Sequence, residues 1–235
     1  MSNALTSFLA KANVPALSGT DLADALSRGQ EVNDAQSGGG SDIKFLSFSG
    51  KTGVYALGQD REEVSEDDVY LVEPMSFLAG RICWKASKPV GRVEWSFFSP
   101  EKAVEDADLE DHGPYNTKAG EGWHAMLGFG CLSLDGDATS IKYTTNAVSA
   151  RNAISSLINE IISRSSKGEP AMPVVRFSKE QFEAQGVKNY KPKFIIDAWV
   201  EREAGDAFFA GIFDLDDLTS GKTPTKAQLK KIADA

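Results

Sequence analysis

The stretch IKYTTNAVSARNAISSLINEI, Ile141–Ile161, changes its hydrophobic period halfway along. Ile141, Tyr143 and Thr145 alternate with Lys142 and Thr144, the two-residue period of a strand. Ile154, Leu157, Ile158, Ile161 and Ile162 then recur at i, i+3, i+4, i+7 and i+8, the apolar stripe of a buried helix face. Asn146 or Ser149 is placed to cap that helix, and Lys167, Gly168 and Pro170 end it. A strand that turns directly into a single amphipathic helix, predicted over 149–166, restricts the chain to folds in which one helix crosses between strands.

Strand patterns flank the seam on both sides. IKFLSFSGKTGVYAL reads as a hairpin across Gly50–Gly53, and DVYLVEP as a further strand. GRICWKASKPVGRVEWSFF reads as a second hairpin turning at Lys88–Gly91, and WHAMLGFGCLSL as a long strand running into the DGDATS turn. After the helix come MPVVRFS and KFIIDAWVER, with KEQFEAQGVKNYKP between them read as a short helix and loop. DAFFAGIFDL reads as a last strand. The order β-β-β-α-β-β is that of a Greek-key OB barrel, and several α+β sandwiches share it. The expected fold is mainly β, or α+β by content. It is an OB-like five-stranded barrel with the helix between strands 3 and 4, plus an extra N-terminal hairpin and a helical arm.

Composition sets the boundaries. Residues 1–29 carry a capped helical pattern and read as an arm; the polar, glycine-rich run at 30–41 reads as a flexible linker. Residues 42–218 form the β domain, interrupted by an acidic insertion at 99–122, and TPTKAQLKKIADA anchors a C-terminal helix or tail at 219–235. No apolar run approaches the roughly 18 residues of a membrane span, and the N-terminus lacks the pattern of a signal peptide. Cys83 and Cys131, the two cysteines, sit in strand patterns and read as buried free thiols of a reducing compartment. The net charge of −9 argues against general affinity for nucleic acid, but the charge is uneven. Acid concentrates at Glu62–Asp68 and Glu101–Asp111, while 141–202 holds ten basic and six acidic residues.

The sequence holds no nucleophile elbow, phosphate loop, dinucleotide fingerprint or calcium loop. Its two histidines, His112 and His124, have no ligand at metal spacing. No enzyme, metal or cofactor is expected. Aromatic and basic residues, by contrast, interleave along the strands, the mixture that binds unpaired nucleic acid by stacking bases and tracking phosphates. The candidate stacking residues are Trp84, Trp123, Tyr143 and Trp199. The candidate phosphate contacts are Arg81, Lys85, Lys142, Arg176, Lys191 and Lys193. Strict alternation in KFIIDAWVER puts Phe194, Ile196, Ala198 and Val200 in the core and Trp199 on the polar face. Gly128 and Gly130 share one face of their strand, where they either let the strand bend or leave a strip for another chain.

Between Tyr70 and Trp199 these elements resemble a broad group of small proteins of tailed phages and prophages. The resemblance rests on GRICWKASKPVGRVEW, GEGWHAMLGF, YTTNAVSARNAISSLINEI and PVVRFS with KPKFIIDAWV. Those proteins look like single-stranded-DNA-binding proteins of the OB type, acting in replication and recombination. The resemblance implies a cytoplasmic, metal-free binding protein without catalytic residues, in the host cytoplasm if phage-encoded. Its implied partners are single-stranded DNA and phage replication or recombination proteins, with no membrane contact and a homo-oligomeric state. Many single-strand binders end in an acidic tail, whereas this chain ends in KAQLKKIADA. The alternative expectation is a phage structural or assembly protein, a virion component that binds no nucleic acid.

Overall fold

The computed structural model describes residues 43–99, 104–134, 139–184 and 186–233. The expected arm and linker lie outside these residues, as do 135–138 of the DGDATS turn. Residues 44–97 and 110–235 form one compact unit. A second unit takes in 1–43 and 98–109, and its described part holds one 3-10 turn, Asp106–Asp108.

Ten strands build the larger unit: β1 (Lys44–Phe48), β2 (Tyr55–Leu57), β3 (Glu62–Glu63), β4 (Val69–Val72), β5 (Leu78–Lys85), β6 (Lys88–Ser96), β7 (Gly122–Ser133), β8 (Ser140–Thr145), β9 (Met172–Ala184) and β10 (Val187–Val200). Four helices accompany them: α1 (Val148–Ser165), α2 (Arg202–Phe209), α3 (Leu215–Thr219) and α4 (Lys226–Ala233). The strands form one mixed sheet in the order β10-β9-β4-β7-β8-β1-β2-β3, curled into a half-barrel; β5 also pairs with β7, and β6 with β5.

This corrects the expected five-stranded OB barrel. The sheet has twice the strands, and the helix lies between the eighth and ninth rather than the third and fourth. The hairpin expected as an appendage is integral, because β1 runs parallel to β8 with Leu46 opposite Tyr143. Its turn also closes on the far side of the sheet, where the Tyr190 N–H donates to the Gly50 carbonyl at 2.8 Å.

Strand β7 organises the sheet. One of its edges carries β8; the other carries β5 along Gly122–Gly128 and then β4 along Cys131–Ser133. Between β4 and β5 the chain makes a 3-10 turn, Pro74–Ser76, and leaves a gap in the ladder. Ser76 fills it: its hydroxyl accepts from the Gly130 N–H at 2.7 Å and donates to the Gly130 carbonyl at 3.0 Å. Buried backbone groups left unpaired are costly, so the hydroxyl supplies the partner that the Gly130 N–H lacks, while the Gly130 carbonyl also accepts from the Glu73 N–H at 3.2 Å. Gly130 and Gly128 are thus sites of close approach and not an open strip. A Cβ on Gly128 would meet the Tyr143 carbonyl oxygen at 2.6 Å.

Alternation divides the sheet between two cores. The inner face packs Tyr55, Tyr70, Phe129, Tyr143, Phe177 and their neighbours against Ile154, Leu157 and Ile161 of α1. Each such fully buried Leu or Ile contributes about 1.5–3 kcal/mol. The predicted stripe is therefore present, except that Ile162 is 59% exposed. Neither Asn146 nor Ser149 caps α1. Ala147 is the cap residue, with its own N–H donating to Thr145 Oγ1 at 3.2 Å.

The outer face of β4, β9 and β10 packs Leu71, Val174 and Val200 against Ala204, Ala207, Phe213 and Leu218. DAFFAGIFDL is consequently not a strand, since α2 and the start of α3 occupy it and turn Ala204 and Ala207 onto this second core. The β5–β6 hairpin turns at Ala86 and Ser87, with φ of 49° and 62°, and not at Lys88–Gly91. Pro89 lies within β6, where a bulge between Cys83 and Trp84 shifts the register. KEQFEAQGVKNYKP is also strand, continuing β9 and β10 as one long hairpin.

Candidate nucleic-acid interface

Three predicted residues come together on the inner face of β5 and β7, under the segment 110–121. Arg81, Cys83 and Lys85 alternate along one face of β5, and Trp123 pairs with Cys83. The covering segment engages Cys83, Lys85 and Trp123. The Lys85 ammonium donates to the carbonyls of His112 and Gly113, and Trp123 Nε1 donates to the Glu110 carbonyl at 3.0 Å. His112 lies over Gly91 and against the Trp123 ring, with centroids 5.8 Å apart. Glu121 fastens the other end, accepting from the N–H groups of Ala86 and Asn116 at 2.9 and 2.8 Å. Those two N–H donors hold its carboxyl below the usual carboxylate range. This cluster is a clasp, in which the indole and the ammonium are already used.

Four further residues are placed apart. Tyr143 is 1% exposed in the inner core, edge-on to Phe129 and Phe194, and presents no ring face to solvent. Lys142 is buried on the opposite face, where its ammonium lies 2.8 Å from Glu94. Trp84 is half-buried on the far side of β5 from Cys83, and its indole N–H finds no partner among the described residues. Trp199 is the clearest reversal. A bulge between Ile196 and Ala198 interrupts β10, so Ala198 and Val200 face the second core while Trp199 turns inward against the first. There the Arg164 guanidinium covers it, 4.8 Å from the ring centroid. The polar face expected for Trp199 by strict alternation is thus corrected by one extra residue in the strand.

The remaining three, Arg176, Lys191 and Lys193, share one surface. The β9–β10 ladder pairs Arg176 with Ile195, Ser178 with Lys193, Glu180 with Lys191, and Phe182 with Asn189. Directly opposed residues and every second residue share a face. Arg176, Lys193, Lys191 and Phe182 therefore run in line from the second core toward the hairpin tip. From Val187 to Ile196 the chain carries Lys188, Lys191 and Lys193 and no carboxylate. Beside the first half of β10, a cleft of about 350 Å³ opens against Ser149, Asn152 and Ser156 of α1.

These cations differ in how firmly they are held. Arg176 makes a bidentate pair with Asp197, at 2.7 and 2.9 Å. Lys191 meets Glu180 at 2.8 Å, with both side chains about half exposed. Lys188 and Lys193 have no ion pair among the described residues. Phe182 was absent from the predicted set because KEQFEAQGVKNYKP did not read as strand. The signal that could have found it is an exposed phenylalanine facing the acid-free run KNYKPK across a glycine turn.

No family model, curated protein or solved structure matches the chain. Among the described residues, no three His, Cys, Asp or Glu side chains gather as a metal set, and no helix is long and apolar enough to cross a membrane. Cys83 and Cys131 are buried free thiols.

Proposed function

We propose that the chain binds single-stranded DNA along the outer face of the β9–β10 hairpin, without catalysing a reaction. The observation that carries this reading is the shared face of Arg176, Lys191 and Lys193, in line with an exposed aromatic ring. Cations follow the phosphates of an unpaired strand while a flat ring meets its bases. Local charge favours it, since β10 presents Lys191 and Lys193 and no carboxylate of its own on this face between Val187 and Ile196, in a protein of net charge −9.

Magnitudes decide which lysines are available. An exposed pair such as Lys191–Glu180 is worth about 0–1 kcal/mol, so a phosphate can take the place of the carboxylate. Separating the buried Lys142–Glu94 pair costs about 3–5 kcal/mol, which no single phosphate contact returns. Lys142 therefore leaves the phosphate-contact set, and Lys188, opposite Glu183 on the other face of the ladder, does not enter it.

The test is anisotropy of dye-labelled oligo-dT across a salt series. Tryptophan quenching is a poor probe, because Trp123 and Trp199 are covered. Three phosphate contacts, from Arg176, Lys191 and Lys193, predict a slope of log K on log salt of about −2. No binding at low salt, with a blank gel shift, defeats the reading. A large closed oligomer in light scattering would then favour the virion-component alternative.

A further inference from the structure

We infer that Phe182 is the base-stacking residue of this surface, and that the hairpin therefore selects unpaired over paired strands. The inference rests on the single-stranded-DNA reading. Phe182 is 39% exposed and takes part in neither core and in no aromatic pair among the described residues. Phe177 on the same strand, and Phe194 across the ladder, are instead packed with each other, with centroids 5.8 Å apart. The residue opposite Phe182 leaves the ring open, since the Asn189 amide is turned to the Val187 carbonyl at 3.0 Å.

The surroundings of the ring are graded. Toward the tip on the same face lie Ala184 and Val187, the latter 59% exposed, so a base laid there strips water from no charge. Toward the core, Lys191 is the diagonal neighbour of Phe182 and Lys193 lies one strand repeat further, about 6.8 Å along the chain. A base on the ring thus leaves its flanking phosphates toward ammonium groups on the same face. Stacking of this kind needs a base whose π-face is free. Bases inside a duplex have both faces occupied by their neighbours.

The experiment compares the full-length wild type with Phe182→Ala, Phe182→Leu and Phe182→Trp. The probes are oligo-dT, an abasic deoxyribose-phosphate oligomer of equal length, and a duplex. Circular dichroism and melting of each variant first establish folding. Loss of one stacking contact predicts that Phe182→Ala and Phe182→Leu weaken oligo-dT binding about 5- to 100-fold. Abasic binding should be unchanged, and the emission of Phe182→Trp should be quenched by oligo-dT but not by the abasic oligomer. Equal losses on both oligomers, no loss on either, or duplex binding as tight as oligo-dT would overturn the inference. If Lys191→Ala with Lys193→Ala still weakens binding in those cases, the single-strand reading survives. If the wild type binds neither oligomer, both fall.

Discussion

The Lys142 ammonium lies 2.8 Å from the Glu94 carboxylate, with only 9% and 11% of the two side chains exposed. Arg92 reaches the same carboxylate through Nε at 2.6 Å and also hydrogen-bonds Thr144. The pair joins β8 to β6 across β7 and β5, strands that carry none of Arg176, Phe182, Lys191 and Lys193. Lys142→Met should therefore lower stability by about 3 kcal/mol, near the low end for a broken buried pair because Arg92 remains. Urea unfolding measures the loss. The same variant should bind oligo-dT like the wild type, since the lysine is not on the proposed surface.

The pair also sets an acid limit. Burial by itself raises the Glu94 pKa, but the hydrogen bond and charge of Lys142, with Arg92 behind them, outweigh it and hold the carboxyl below its usual range. A folded pKa below the unfolded value of about 4.3 gives stability that is complete above that value. It is lost as pH falls through the lower, folded pKa. Glu94→Gln should thus be less stable than the wild type at neutral pH, and its urea midpoint should fall less between about pH 5 and pH 3. Equal acid slopes in the two proteins would show that Glu94 carries no such linkage.

Gly128 tests the crowding of β7 against β8. A methyl group there would press on the Tyr143 carbonyl oxygen at 2.6 Å and on Thr144 Cγ2 at 2.7 Å. The first contact is backbone and cannot swing away. Gly128→Ala should cost about 3 kcal/mol, read as a lower denaturant midpoint. Gly120→Ala is the control for backbone strain without crowding: its φ is 75° but nothing lies within 4 Å of the added methyl. It should cost about 1 kcal/mol.

The seam at Ile141–Ile161 was legible because a change of period is local, and the stripe of α1 could be read for the same reason. Tyr143, expected to stack on bases, is instead buried in the inner core beside Ile141. What could not be read depends on pairing. KEQFEA has the composition of a helix, yet its partner across Gly186 holds it as a strand, and tertiary pairing overrides propensity. The alternation in KFIIDAWVER is correct up to Ile196 and inverted from Ala198, because a bulge leaves no compositional mark at Asp197. The Ala86–Ser87 turn uses positive φ at two residues that do not advertise it. Of the predicted contact residues, Arg176, Lys191 and Lys193 share one face of the β9–β10 hairpin; Trp199 on β10 and those on β5, β7 and β8 lie elsewhere, because a bulge or partners from distant segments place them.

The most direct measurement is the affinity of dye-labelled oligo-dT for the wild type and for Lys191→Ala/Lys193→Ala, each across a salt series. The wild type should bind, with a log–log slope of about −2; the double variant should bind at least about tenfold more weakly, with a slope about 1.4 units shallower. A wild type that fails to bind at low salt, or a double variant with the affinity and slope of the wild type, would contradict the account.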